Sequence, residues 1–151
     1  MTGDKIIQLA NSLKIKYGTK DPIELCKNLN INISTTKLKP EIFPAYTLHV
    51  SENPSIVLNE HYTINSQKIL CAHELGHALL HKENIINQFK GDSSSEKFEY
   101  EANLFAVALL FNRSNFEIDI LKMNNYLLEG ILDCNLELKH MKNKHSNSHR
   151  R

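Results

Sequence analysis

The segment His73-Glu74-Leu75-Gly76-His77 decides the fold, and it lies inside a helical pattern that spans residues 65–81. Histidines four residues apart share one face of a helix, so both imidazoles can reach the same metal ion. Glu74 directly follows the first histidine, where its carboxylate can take a proton from a water that the metal activates. The segment therefore predicts metal-dependent hydrolysis with water as the nucleophile.

A catalytic metal held by two histidines needs a third ligand, and two candidates can be judged by their distance from the motif. His81 continues the four-residue spacing, but eight residues of helix rise about 12 Å, and bonds of about 2.1 Å cannot be made from both ends. We therefore expect His81 to lie at the C-terminal end of the helix, where a histidine interacts favourably with the helix dipole, or at the rim of the site. A histidine six positions after His77, typical of metzincins, is excluded because that position is Glu83 and the expected glycine is Leu80.

The third candidate is a carboxylate on a second helix, which the apolar spacing predicts over residues 96–111. Glu99 can complete a His, His, Glu set, and Asn103 lies one turn later, placed to hydrogen-bond a ligating histidine. Glu101 lies about 200° around the helix from Glu99, so we expect it to face outward. Glu96, one turn before Glu99, is the alternative ligand.

The remaining patterns predict a small α+β domain. A first helix ends at Gly18, and Asp21-Pro22 opens a second one. Three short strands are predicted, at residues 31–33, 45–50 and 55–58, with a turn at 51–54. Further along the chain the patterns predict a mobile loop at 83–95 that ends in a capping serine cluster, a short helix opened by Ser114-x-x-Glu117, and a last helix over 126–141.

Charge and cysteine usage limit the partners and the compartment. The chain has 151 residues and a net charge of +1, which gives no general affinity for nucleic acid or anionic membrane. Five of the 18 basic residues fall in residues 139–151, which hold no acid, and we expect this segment to form a solvated tail. The alternative is that the tail contacts nucleic acid or binds metal adventitiously through its three histidines, His140, His145 and His149. Three widely spaced cysteines favour a reducing cytoplasm, and no apolar run is long enough to span a bilayer.

Residues 73–81 (HELGHALLH) and 99–106 (EYEANLFA) resemble the ImmA/IrrE-type metallopeptidases. Residues 17–22 and 56–59 fit the same resemblance, which covers about residues 5–112. It implies a minimal zincin-like fold, in which a small β-sheet packs on the motif helix and a second helix carries a glutamate. It also implies zinc bound by His73, His77 and Glu99, with Glu74 as the catalytic base.

The resemblance further implies a protein substrate, because several relatives cleave helix-turn-helix repressors of mobile elements or stress responses inside bacterial cells. We expect a peptidase domain over residues 1–122, followed by a C-terminal helix and a basic, disordered tail over 123–151. Two departures from the family pattern concern this C-terminal side. Asn112 stands where relatives often have proline, and the region beyond it is short.

The strand at residues 45–50 is expected to border the cleft. Its edge can hold an extended peptide by strand addition, and Tyr46 is a candidate donor to the oxyanion. A rival interpretation is a non-proteolytic zinc-containing regulatory module that binds a transcription factor. Glu74 argues against it, because a structural zinc site gains little from a base beside an open coordination position. A DNA-binding role lacks support, since no helix-turn-helix pattern is evident.

Overall fold

A computed structural model describes residues 1–49, 52–81 and 93–139. The α+β class is confirmed, since the described residues form five α-helices and one three-stranded mixed sheet. The elements in chain order are α1 (Gly3–Tyr17), α2 (Pro22–Asn28), β1 (Asn32–Thr36), β2 (Ala45–Leu48), β3 (Ser55–Asn59), α3 (Ile64–Leu80), α4 (Ser93–Leu110) and α5 (Asn125–Asp133). None of the described helices combines the length and apolarity needed to cross a membrane.

The first helix ends and the second helix begins where the sequence predicts. Thr2 caps α1 by accepting a hydrogen bond from the Lys5 backbone N–H, and Gly18 ends the helix at φ 66°, a backbone conformation that glycine adopts without strain. Asp21 caps α2 in the same way through the backbone N–H of Ile23, with Pro22 in the first helical position. Local capping chemistry therefore sets the bounds of both helices.

The sheet has the order β1-β3-β2, with β1 parallel and β2 antiparallel to β3. The buried Asn59 amide holds the loop that joins β1 to β2, because its Nδ2 donates to the carbonyl oxygens of Leu38 (2.7 Å) and Phe43 (3.0 Å). This order places β2 at an edge of the sheet, and β2 also packs against α3. The second of the predicted strands, at 45–50, ends at Leu48 in the structure; Val50 and Ser51 lie outside the described residues.

Helix α4 forms the centre of the domain, with α1, α3 and α5 packed around it. Its residues 101–109 are all buried. Gly76 permits the close approach of α3, because a Cβ at this position would lie 3.1 Å from Ala102 Cα and 3.2 Å from Ala102 O. The two helices that carry the motif and the candidate third ligand are thus in backbone contact.

Two predicted helix starts need correction. Ser114 does not cap a helix; it lies inside a 3-10 turn, Arg113–Asn115, that Asn112 caps through the Ser114 backbone N–H. Helix α4 begins at Ser93 rather than at residue 96, so its first turn takes up the predicted capping serines. The loop predicted at 83–95 otherwise lies outside the described residues, as does the tail from 140 onward with its three histidines.

The last helix is shorter than predicted, since α5 ends at Asp133 instead of residue 141. The chain after it pairs with the segment before α3: the Lys139 N–H donates to His61 O at 2.8 Å, and the Thr63 N–H donates to Glu137 O at 3.0 Å. These bonds satisfy backbone groups that a longer helix would have used internally. The division at residues 122 and 123 stays a prediction, while α5 itself packs on α4.

Candidate metal centre

Helix α3 brings the two histidines of the motif together, as their spacing predicts. His73 Nε2 and His77 Nε2 lie 3.2 Å apart, and the ring planes are nearly perpendicular. Both rings are largely buried, with 19% of the His73 side chain and 6% of the His77 side chain exposed. The paired nitrogens therefore point to one position that is mostly shielded from solvent.

Glu99 of α4 faces the same position. Its Oε1 lies 3.2 Å from His73 Nε2, and its Oε2 lies 2.8 Å from His77 Nε2. Bonds of about 2.1 Å in a tetrahedron place ligand atoms roughly 3.3 Å apart, so the three separations suit one small metal ion. Among the described histidines, cysteines and acids, these three residues form the group that could hold a metal, whereas Glu96 is exposed and stands apart from it.

The electrostatics of the cluster also suit a cation. Burial lowers the pKa of His73, but the hydrogen bond to Glu99 and the charges of Glu74 and Glu99 outweigh burial and raise this pKa to about 9. Burial opposes ionisation of Glu99, yet hydrogen bonds from His73 and His77 hold its pKa well below the usual range. In the metal-free protein, a proton on His73 thus supplies the positive charge that a bound metal ion would supply at this position.

Glu74 lies beside this cluster, and β2 holds it in place. Its side chain is buried, and its Oε1 accepts a hydrogen bond of 2.6 Å from Thr47 Oγ1. The same hydroxyl lies 3.3 Å from the Glu74 backbone carbonyl. No sequence motif marks Thr47, although strand alternation places it on the same face as Ala45.

The structure does not bring Tyr46 to the cluster, and the prediction that it donates to an oxyanion is not supported. Successive side chains of a strand point to opposite faces, so Tyr46 points away from the face where Thr47 meets Glu74. Its ring contacts Phe43 at a centroid distance of 6.3 Å. The location of the strand at the cleft is as expected, but the residue on the cleft side is Thr47.

Asn103 lies behind His73 at hydrogen-bonding distance, with Asn103 Oδ1 2.7 Å from His73 Nδ1. The opposite end of the amide, Nδ2, donates to Asn125 Oδ1 at 2.7 Å. In this orientation the amide oxygen of Asn103 faces the imidazole and its nitrogen faces α5. Asn125 begins α5, so the C-terminal helix helps to orient a side chain beside the motif.

Of two expectations about the back of the cluster, the first holds in part and the second is wrong. His81 lies at the end of α3, as its C-cap. His81 is not a rim group: it is 2% exposed, its ring stacks on Phe98, and its Nδ1 lies 2.9 Å from His77 Nδ1. Glu101 does not face outward: it is 6% exposed and its Oε1 lies 2.9 Å from His81 Nε2. Glu101 turns inward because α4 has no solvent-exposed face at this point: residues 101–109 are all buried.

The cluster opens into a cavity of about 320 Å³. Four elements contribute to its wall: Pro44 and Ala45 around β2; Ile69, Leu70, His73 and Glu74 of α3; Glu99 and Asn103 of α4; and Glu129, Leu132, Asp133 and Leu136 on or after α5. Burial raises the pKa of the Asp133 carboxyl. The cavity thus places the base and the ligand group beside apolar side chains that could contact a bound polypeptide.

The profile of a peptidase family, described as the IrrE N-terminal-like domain, matches residues 26–147. The chain is 35% identical over 132 residues to a protein named uncharacterized immunity region protein 2, from Bacillus phage phi105, and the alignment covers 84% of this chain and 82% of that protein. No solved structure matches the chain significantly.

Proposed function

The chain belongs to the IrrE N-terminal-like family of peptidases, and from this premise we propose that it is a zinc-dependent endopeptidase that cleaves a helix-turn-helix transcriptional repressor. The observation that carries the proposal is the convergence of His73, His77 and Glu99 at the wall of a cavity that also holds Glu74. The similarity to a phage immunity region protein supports a regulatory substrate that belongs to a mobile element. We place this activity in the cytoplasm, where such repressors act.

We propose zinc as the ion, with His73 and His77 as nitrogen ligands and Glu99 as the carboxylate ligand. Two histidines and one glutamate are a usual protein set for catalytic zinc, and they leave a position open for water or substrate. When bound, zinc would supply a Lewis acid for the scissile carbonyl and lower the pKa of the attacking water.

The remaining steps belong to the protein's own side chains. The Glu74 carboxylate takes a proton from the attacking water and passes it to the leaving amine. Thr47 holds Glu74 through the 2.6 Å hydrogen bond, so one carboxylate oxygen is tied to β2 while the other is left for the proton. Asn103 accepts from His73 Nδ1 and thereby keeps the His73 Nε2 lone pair directed at the ligand position.

We propose that the substrate binds as an extended segment along β2. This strand is an edge of the described sheet, and it borders the cavity through Ala45. An added strand would be held by backbone hydrogen bonds, which suits a protein substrate and requires a locally unfolded stretch. A flexible linker between the domains of a repressor has this property.

The proposal is tested with a purified helix-turn-helix repressor of a mobile element as the candidate substrate, by incubating it with the wild-type protein, with Glu74→Gln and with Glu117→Gln. Glu117 is an exposed acid outside the cavity, so its variant controls for the loss of one negative charge. Intact masses of the products are then measured, together with the zinc content of each protein.

Paired fragments from the wild type and Glu117→Gln, with none from zinc-loaded Glu74→Gln, are the expected result. They would identify both the bond and the base. If the zinc-loaded wild type instead forms a stable complex with the repressor and leaves it intact, the endopeptidase proposal is wrong and a non-proteolytic regulatory module takes its place.

A further inference from the structure

A line of hydrogen bonds runs from His77 away from the cavity into the core. His77 Nδ1 lies 2.9 Å from His81 Nδ1, and His81 Nε2 lies 2.9 Å from Glu101 Oε1. We propose that His81 and Glu101 are a positioning pair, which fixes the proton of His77 on Nδ1 and leaves the Nε2 lone pair for the metal. This inference rests on the metal site of the proposed function and adds two residues to it.

The direction of each hydrogen bond follows from what the groups can donate. An ionised carboxylate can only accept, so the His81 nitrogen that faces Glu101 must carry a proton. A neutral imidazole has one N–H, so His81 Nδ1 is then an acceptor. The partner nitrogen, His77 Nδ1, must therefore be the donor. A neutral His77 with its proton on Nδ1 has its lone pair on Nε2, which is the atom that faces Glu99 and His73.

Burial makes this arrangement specific. His81 is 2% exposed and Glu101 is 6% exposed, so bulk water cannot replace either partner. Phe98 stacks on the His81 ring at a centroid distance of 4.3 Å and restricts its rotation. A buried pair of this kind contributes little stability over well-packed apolar side chains, so its position directly behind a ligand indicates a role in orienting that ligand.

The two bonds of His81 also explain why it is not a ligand itself. Both of its ring nitrogens are already engaged, one by His77 and the other by Glu101. The corresponding task at the other histidine falls to Asn103, whose Oδ1 accepts from His73 Nδ1. Helix α4 therefore supplies both Glu99 and the acceptors that orient the two histidines, one of them through His81.

The pair is tested first by its effect on zinc affinity, measured by competition with a chromogenic chelator. The double variant His81→Phe/Glu101→Leu removes the acceptor behind His77 without leaving a buried charge unpaired. We expect it to bind zinc about 10–100-fold more weakly, which is the usual effect of losing such a partner. Glu101→Gln keeps a carbonyl acceptor for His81 and is expected to stay within about threefold of the wild type.

Ser66→Ala is the matched control. Ser66 is buried in the same helix and accepts a 2.7 Å hydrogen bond from the Glu137 backbone N–H, but it lies two turns before the motif. Its loss should lower stability and leave zinc affinity unchanged. A general effect of core damage would instead weaken zinc binding in this variant as well, and would overturn the assignment.

A second measurement uses only the wild-type protein. In a long-range 1H–15N spectrum of the zinc-loaded protein, His81 should carry its proton on Nε2 and none on Nδ1. A proton on His81 Nδ1, or a folded double variant with undiminished zinc affinity, would refute the positioning pair while leaving the metal site intact. Failure of the wild type to bind zinc would instead refute the metal site and the proposed function with it.

Discussion

The contact between α3 and α4 can be tested by adding one methyl group, in the variant Gly76→Ala. The new Cβ would lie 3.1 Å from Ala102 Cα, 3.2 Å from Ala102 O and 3.3 Å from Phe105 Cδ2. Ordinary carbon contacts begin near 3.5 Å, and the first two of these atoms are backbone, so α4 must move by a few tenths of an ångström. Such overpacking costs about 1–3 kcal/mol, while alanine in a helix returns about 1 kcal/mol relative to glycine. The net loss of unfolding free energy should therefore be about 0–2 kcal/mol.

The same substitution should also weaken the metal site. Glu99 is three residues before Ala102 on α4, so it moves away from His73 and His77 with the helix. Metal ligation tolerates errors of only about 0.2 Å, so we expect zinc to bind at least about tenfold more weakly. Denaturant unfolding of the metal-free protein and zinc competition with a chelator measure the two quantities. Gly130→Ala is the control, because no atom lies within 4 Å of its added Cβ. An unchanged zinc affinity in Gly76→Ala would show that this contact does not set the ligand spacing.

Three further predictions follow from single contacts. Below about pH 9, zinc affinity should rise about tenfold per pH unit, because zinc must displace the proton that the raised pKa keeps on His73. The raised pKa of His73 also stabilises the metal-free protein below pH 6.5, and this stabilisation should be lost as the pH rises through about 9. Thr47→Val should lower the cleavage rate about 10–100-fold at unchanged zinc affinity, whereas Thr47→Ser, which keeps the hydroxyl, should cleave at nearly the wild-type rate. Equal rates for the two variants would show that the Thr47 hydroxyl does not orient Glu74. Lys14→Met should lower the free energy of unfolding by about 1 kcal/mol, because Lys14 Nζ donates to the Ala108 carbonyl at 2.9 Å near the end of α4. The control Lys5→Met, on the exposed side of α1, should lower it little, and equal melting curves for the two variants would contradict a stabilising role of the Lys14 hydrogen bond.

Local signals predicted the elements that carry the candidate site. The helix ended by Gly18, the helix capped by Asp21 and the motif helix all follow from cap chemistry and apolar spacing, which act over a few residues. The prediction that a carboxylate and an amide one turn apart share a face placed Glu99 and Asn103 correctly relative to each other. These inferences needed only the geometry of one helix.

The errors concern contacts between elements. The last helix ends at Asp133 because residues 137–139 pair with residues 61–63, and no local signal marks that partner. Glu101 turned inward because α4 is enclosed by other helices, a fact that a helical wheel of one segment cannot contain. Tyr46 was a candidate because its strand borders the cleft, but which face of β2 looks toward the cleft depends on its register against β3 and its packing on α3.

The enclosure of α4 also explains why its polar residues carry so much of the site. A buried helix can keep an acid or an amide only where a partner satisfies it, and each buried polar side chain here has one: Glu101 bonds His81, and Asn103 bonds His73 and Asn125. Two of those partners lie on α3 and its C-terminal cap, and the third begins α5. The orientation of the metal-ligand histidines is thus part of the same packing that joins three helices. Substitutions that loosen α5 should therefore disturb His73 through Asn125 and Asn103, even though α5 supplies no ligand.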